Sequence, residues 1–551
     1  MMIQSSVCLL TNRLVYKTNN HKILSKKDAI LSFICLQVGI MIFLGYFLLY
    51  IVRYNICVHI VDMTKLKTRL KFKPENDTTI SFTRFGSVRK ISFMDTMHWN
   101  DMMLAQLFSA YHIGYCICFP IFHTIGDRFI RVLRLGPTWI VGISGFISGV
   151  LNCLTPASSY YNYWSLYVVR IITGFCAGAM QPSMVQVLRH WVPPIERNYF
   201  MWAYCGITMG TCFTFLACAA IHYYSAWPTG FYTFGALQIL WSFAWVFTVT
   251  DNPSRHTFIS AEELTYLTNT IGTIFTIKTT NARTPWNLIL KSKSFWALCC
   301  LNFGYAWMII SLCLHGTIYY SEVIQYDIYS ASALTGLPFF LRLVLGALII
   351  HAFHWYKYNS NIRRIRHIRK YFIVVSHVIP GLLIMCTWFV VQIPGPILLT
   401  TAVALTAAGT DLTFDLCYEL SPTFVNSLHT VIKIIGNTPG IMVSYLVGHV
   451  VTKYKNYAYV WKNMWCFHAT VLFVAGMVFL IWGETHVQPW NAVNSTRRPV
   501  NRVKPTASIM SNIVEVDEDD TSNRPSLQHK NTSFFGGHKV QAKEVKLPTI
   551  Q

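Results

Sequence analysis

Charge is what this chain lacks most. Asp, Glu, Lys and Arg make up 12% of its 551 residues, about half the share in a water-solvated globular protein. Hydrophobic residues reach 53%, aromatics 15%, and the mean hydropathy is +0.39. This scarcity excludes an ordinary soluble domain and predicts a polytopic protein solvated largely by lipid. Catalytic signatures are missing as well. There is no Walker loop, no G-x-S-x-G and no H-E-x-x-H, which argues against ATP-driven pumping and against an enzyme. The sixteen cysteines lie mostly inside apolar runs without zinc-site spacing. They read as small buried hydrophobes, and no metal is expected.

Acid is scarcer than base: 23 Asp and Glu stand against 45 Lys and Arg, a formal charge of +22. The basic residues gather between apolar runs and near the termini. Anionic lipid headgroups and cytoplasmic Lys/Arg bias account for that placement, so the bilayer and not nucleic acid is the expected partner. No cleavable signal peptide is evident in residues 1–32, which reads as a cytoplasmic N-terminus.

A hydrocarbon core of about 30 Å needs roughly 20 helical residues to cross it. Runs of that kind lie near 33–62, 102–124, 136–155, 163–188, 200–223 and 229–249, and again near 294–320, 330–355, 371–392, 395–418, 426–451 and 462–483. The expected organisation is an N-terminal six-helix bundle (33–250), a central cytoplasmic loop (251–293), a C-terminal six-helix bundle (294–483) and a disordered cytoplasmic tail (484–551). Six plus six is a two-halves arrangement, in which a site near the midplane is exposed alternately by rocking of the halves. The stretch YKYNSNIRRIRHIRKY (356–371) carries six Lys/Arg and should be cytoplasmic. The loop 63–101 is also basic, but it holds the sequon Asn76-Asp77-Thr78, so glycosylation at Asn76 puts it outside.

Two arginines sit within the apolar runs: Arg53 in span one and Arg170 in span four. A guanidinium at hydrocarbon depth costs a few kcal/mol by insertion scales (about 3). It is kept because it faces protein and water or because it binds something negative. Its planar fork suits a carboxylate or phosphate. The alternative is a structural arginine paired with a carboxylate or with helix carbonyls. Asn55, two residues after Arg53, is a candidate amide contact or interhelical glue. In span ten Asp411, Asp415 and Glu419 stand at i, i+4 and i+8, one helical face. They are candidates for carrying protons or a cation, against a structural pairing with Lys433 or Arg342.

The segments RYNICVHIVDM, VRIITGFCAGAMQP, WVPPIER (191–197), WPTGFYTFGALQILW, DNPSRHTFIS, TPWNLILKSKSFWA, ELSP and IIGNTPG follow one another in order. Together they resemble the anion/cation symporter family of the major facilitator superfamily, the group of sialin, the vesicular glutamate transporters and the sodium–phosphate cotransporters. The resemblance implies an all-α membrane protein with twelve transmembrane helices in two six-helix bundles, and secondary active transport of organic or inorganic anions. It places Arg53 and Arg170 at the family's positive positions, puts Glu419 at its usual acidic position, and suggests that Tyr305 and Asn437 shape the cavity. Departures are visible too. Ala177 replaces the glutamate of proton-coupled relatives, and Gln181 replaces an aromatic before Pro182. Phe108 and Tyr305 replace the histidine and arginine of vesicular glutamate carriers. GDRFIRVLR (126–134) matches the superfamily's loop motif, with His123 in place of its leading glycine.

The expected function is therefore a secondary anion transporter with no cofactor, coupled to H+ or Na+. Its partners are a small anionic solute and the lipid bilayer, and a monomer is expected. The competing readings are a transporter-derived protein that binds a ligand or partner without moving it, and an uncoupled facilitator driven by membrane potential. Both a plasma membrane and a lysosomal or vesicular membrane fit the sequence.

Overall fold

The computed structural model describes residues 33–64, 80–84, 87–91, 97, 99–124, 136–192, 197–275, 284–359, 370–389, 394–410, 416–417, 420–421, 423–453 and 457–491. Six long helices form the first half. Span one is Phe33–Thr64, span two Asp101–Thr124, span three Pro137–Tyr161, span four Tyr163–Trp191, span five Cys205–Tyr224 and span six Pro228–Thr248. Span seven, Lys293–Ile318, and span eight, Ile328–Asn359, open the second half. Span eleven runs as Val425–Ile435 and Pro439–Lys453, and span twelve is Tyr457–Trp482. Ten helices among the described residues are long and apolar enough to cross a membrane, and shorter apolar helices at Lys370–Cys386 and Gly395–Gly409 stand at the ninth and tenth positions. Among the described residues, the loop after span one carries an antiparallel hairpin, β1 (Ile80–Arg84) on β2 (Ser87–Ile91), with Ile80 opposite Ile91.

Span three shows why these helices assemble. It buries Gly142, Gly145, Ser148, Gly149 and Asn152 and exposes Trp139, Ile143, Phe146, Ile147 and Leu154. Large residues outward and small ones inward is the pattern expected in lipid, where close backbone approach, not hydrophobic exclusion, joins helices. The DNPSRH segment, read from sequence as a family marker, has a local job. The Asp251 carboxylate accepts from the Thr138 amide (2.8 Å), capping the start of span three. The Trp191 indole donates to the Thr250 carbonyl (2.7 Å).

The pattern of packing repeats between the halves. Span two packs on span four, three on six and one on five; correspondingly, eight packs on ten, nine on twelve and seven on eleven. The halves meet where span two lies along span eleven and span five along span eight, contacts that exchange under the same two-fold. Midway along span five, Phe215 stacks on Phe339 of span eight. At the end of spans one and five next to the loop after span one, His222 pairs with Asp62. A helix in the central loop, Ala261–Phe275, places the buried Glu263 carboxylate where it accepts from the Cys35 thiol (3.7 Å) at the start of span one.

Candidate functional site

Tyr50, Arg53 and Tyr54 share one face of span one because they are three and four residues apart. The Arg53 guanidinium lies 5.4 Å from the Tyr50 ring centre, 5.1 Å from Tyr54 and 5.2 Å from Tyr111 of span two. Aromatic faces at this range stabilise a desolvated cation by about 2 kcal/mol or less each. The fork donates to Asn437 Oδ1 at 3.1 Å, which ties span one to span eleven across the interface of the halves. His112 Nδ1 stands 3.3 Å from the guanidinium and 3.1 Å from Asn437 Oδ1. Its tautomer decides whether it accepts from the arginine or donates to the amide. The Asn437 amide in turn donates to the His112 carbonyl (3.4 Å) and points at the Cys116 sulfur (3.5 Å).

Arg170 takes a different role. Its fork donates to the backbone carbonyls of Arg53 (3.0 Å) and Val52 (3.4 Å), and its guanidinium lies 5.3 Å from the Tyr111 ring centre. Arg170 therefore braces span four against span one at the residue that carries Arg53, the structural alternative weighed for it from sequence. Both arginines are buried, at 6% and 3% exposure. Neither is paired with a carboxylate among the described residues. Each keeps its Nε–H without a partner among the described residues. A buried unpaired donor on a cation is costly (about 1–3 kcal/mol or more), so an arriving anion has uncompensated charge to meet.

Glycines bring these side chains together. A Cβ at Gly174 of span four would strike the Tyr111 carbonyl of span two, and one at Gly440 would strike the His112 ring. Absence of a side chain at these two positions lets spans two, four and eleven converge on the arginines. Gln181 accepts from the Tyr115 hydroxyl (2.6 Å), a second tie between spans two and four.

The structure does not gather every residue singled out from sequence. Asn55 lies two residues past Arg53, on the other side of the helix. Its amide donates to Asn152 Oδ1 of span three (3.0 Å), whose own amide donates to the Phe231 carbonyl (2.8 Å); this is interhelical glue. Tyr305 sits in the second half under the Arg342 guanidinium (5.0 Å), not beside Arg53. Ala177 is fully buried. Asp411, Asp415 and Glu419 lie outside the described residues, as do Asn76, the 126–134 loop segment, Pro193-Pro194, the tail beyond 491 and the side chains of His351 and His354. The Nε2 of His315 in span seven has no partner among the described residues.

Sequence reading named neither His112 nor Tyr111 as part of the site. Tyr111 was legible in principle, since an aromatic next to a histidine inside an apolar run is a candidate wall for a cation. Lys433 adds a further positive charge. It is exposed near the end of the helix Val425–Ile435, four residues before Asn437, which lies in the break ahead of Pro439 and whose side chain reaches Arg53. A groove of about 420 Å³ between spans eleven and twelve, lined by Leu446, Val450, Tyr459, Asn463 and Phe467, lies away from this cluster and carries no charge.

The profile of the Major Facilitator Superfamily matches residues 42–432. Sialin of Homo sapiens is 23% identical over 469 residues, covering 82% of this chain and 90% of that protein. Sodium-dependent phosphate transport protein 1 of Mus musculus is 24% identical over 366 residues, covering 65% and 77%. Among solved structures, a D-xylose–proton symporter superposes with a TM-score of 0.57 at 14% identity, covering 82% of this chain and 98% of that one.

Proposed function

The chain belongs to the Major Facilitator Superfamily, and on that premise we propose that it carries anionic solutes across the membrane by alternating access. It is an integral, multi-pass membrane protein of a transporter family. The single observation that carries the anionic reading is Arg53: a buried guanidinium with no described carboxylate partner, held across the two halves by Asn437. Such a group favours a negative solute twice, by charge and by the missing hydrogen-bond partner. A solute bound there touches both halves, so its binding is sensitive to their rocking.

With the amino terminus inside, the contacts of span two on span eleven and of span five on span eight close the outer side. Lys433 then lies on the inner side of Asn437, four residues before it. Coupling is to H+ or Na+, with Asp411 and Asp415 as carriers in place of the glutamate that Ala177 lacks. Asn76 is the expected glycosylation point, and the plasma membrane or a lysosomal or vesicular membrane the expected location. The protein works as a monomer. The similarity to sialin and to a sodium-dependent phosphate transport protein supports organic and inorganic anions as the substrate range.

The test is uptake of a panel of labelled anions by purified protein in liposomes under imposed pH, sodium and voltage gradients. Saturable flux of at least one anion is expected. Saturable binding without flux would favour a binding protein derived from a transporter. In the same assay, Asp411→Asn and Asp415→Asn should flatten the pH or sodium dependence. Unchanged dependence removes them from coupling.

A further inference from the structure

Span seven begins and span twelve ends on the same side of the second half, and the two helices pack on each other. With the amino terminus inside, that side is the inner one. A groove of about 440 Å³ lies there, and its walls carry Lys291, Lys293, Glu484 and the Trp490 indole. The segment after span twelve is fixed in place. The Gln488 backbone amide donates to the Leu420 carbonyl (3.0 Å), and Asn491 Oδ1 accepts from the Ser421 hydroxyl (2.6 Å) and the Thr423 amide (3.2 Å). Trp490 is 6% exposed and joins a buried cluster with Ile289 and Phe295. Its indole Nε1–H has no partner among the described residues. A buried donor left in that condition is costly, and this one belongs to a wall of the groove.

The charge of the groove favours a negative guest. Lys291 and Lys293 are exposed and form no ion pair or hydrogen bond among the described residues. The 26-residue helix of span seven starts in the groove, and Ser292 at its N-cap makes no capping hydrogen bond. Free amides and the helix dipole make such a start attractive to anions. Lys370 of span nine lies close by, donating to the Leu480 carbonyl of span twelve (3.4 Å). Glu484 opposes this charge, but its carboxylate is already engaged. It accepts from Gln488 Nε2 (2.7 Å) and the Ser294 hydroxyl, and it lies 3.5 Å from His486. Trp286, Trp296 and Trp482, each two residues from a lining residue, are exposed. Indoles collect where hydrocarbon meets headgroups, so the groove opens at headgroup depth. We propose that it binds the phosphate headgroup of an anionic phospholipid of the inner leaflet. Lys291, Lys293 and the first amides of span seven take the phosphate, and the Trp490 indole donates to a headgroup oxygen. The site shares no residue with the Arg53 cluster and stands whichever solute is carried.

The test adds phosphatidylglycerol, whose phosphate is its only charge, to purified full-length protein in phosphatidylcholine–detergent micelles. Binding is read by the melting temperature and by native mass spectrometry of retained lipid. Phosphatidylglycerol should bind saturably and raise the melting temperature, and further phosphatidylcholine should do neither. Lys291→Gln and Lys293→Gln should each weaken that binding about fivefold, the scale of one lysine at an anionic surface, and arginine at either position should restore it. Arg255→Gln removes the same charge from an exposed residue after span six and should change binding less than about twofold. Trp490→Phe keeps the ring and removes the donor, and it should weaken binding about threefold or more. Equal stabilisation by phosphatidylcholine overturns the proposal. So does an Arg255→Gln loss as large as that of the lysine variants, which would mean unspecific surface charge. Glycerophosphate binding as tightly as the lipid would show a site for soluble phosphate and overturn the lipid assignment. Should Trp490→Phe destabilise the protein without lipid, the two exposed lysines decide: unchanged lipid binding in both refutes the site.

Discussion

Arg170→Lys separates bracing from solute binding. The native fork makes one good bond, to the Arg53 carbonyl at 3.0 Å, and one long one, to the Val52 carbonyl at 3.4 Å. A hydrogen bond from a charged group is worth about 1.5–3 kcal/mol in water-soluble proteins. Interhelical polar contacts in bilayers measure less, about 0.6 on average and 1.7 at most. Lysine keeps the charge and one donor but cannot reach two carbonyls at once, so the expected loss is about 1 kcal/mol, taken from that bilayer range. That is roughly a fivefold change in an equilibrium constant, since about 1.4 kcal/mol is tenfold. The loss should appear in thermal unfolding of the detergent-purified protein. The anion KM should rise fivefold or less, because Arg53 is displaced and not removed. An unchanged melting temperature together with abolished anion binding would refute the reasoning, since it would mean that Arg170 itself holds the solute.

Two further outcomes follow from particular contacts. Burial raises the Glu263 carboxyl above its ordinary value, with the Cys35 thiol hydrogen bond opposing that shift. A raised folded pKa contributes stability that is complete below the unfolded carboxylate value and is lost as pH rises through the folded one. Glu263→Gln should therefore flatten the pH dependence of melting in that window and hold the low-pH stability at neutral pH; an unaltered slope would remove Glu263 from the docking of its helix. Gly440→Val should wedge span eleven off His112 and weaken the contact between spans two and eleven. Labelling of Cys116 by an impermeant maleimide, read by mass spectrometry, should rise several-fold, and an unchanged rate would show that this contact does not close the site.

The bundle was legible because lipid imposes a crude rule: a helix crossing it needs about 20 apolar residues. Runs of that length cannot hide in a sequence, and the described helices start and stop within a few residues of them except at spans nine and ten. Residues 390–392, 411–415 and 418 of those two runs lie outside the described ones. The arginines were legible for the same reason, since charge at that depth stands out. What was not legible is which way each points. Arg53 and Arg170 look alike in sequence, yet one reaches across the halves to Asn437 and the other grips the backbone beneath its neighbour. That division depends on Gly174 and Gly440 allowing close approach, on contacts 117 and 384 residues apart in the chain, and no local pattern encodes it. Asn55 illustrates the opposite error. Nearness in sequence to Arg53 suggested a shared site, but a two-residue step on a helix turns about 200° away. Arg342 was weighed from sequence as a partner for an acid, because its aromatic bed is set by the packing of spans seven and eight.

Removal of the Arg53 charge tests the account most directly. Arg53→Gln preserves a hydrogen-bonding side chain near Asn437 while deleting the cation. The variant, purified as a monodisperse protein melting close to the wild type, should lose saturable anion uptake in liposomes at every concentration tested. Anion uptake at the wild-type rate and KM in that folded variant would contradict the claim that a desolvated guanidinium between the halves receives the solute.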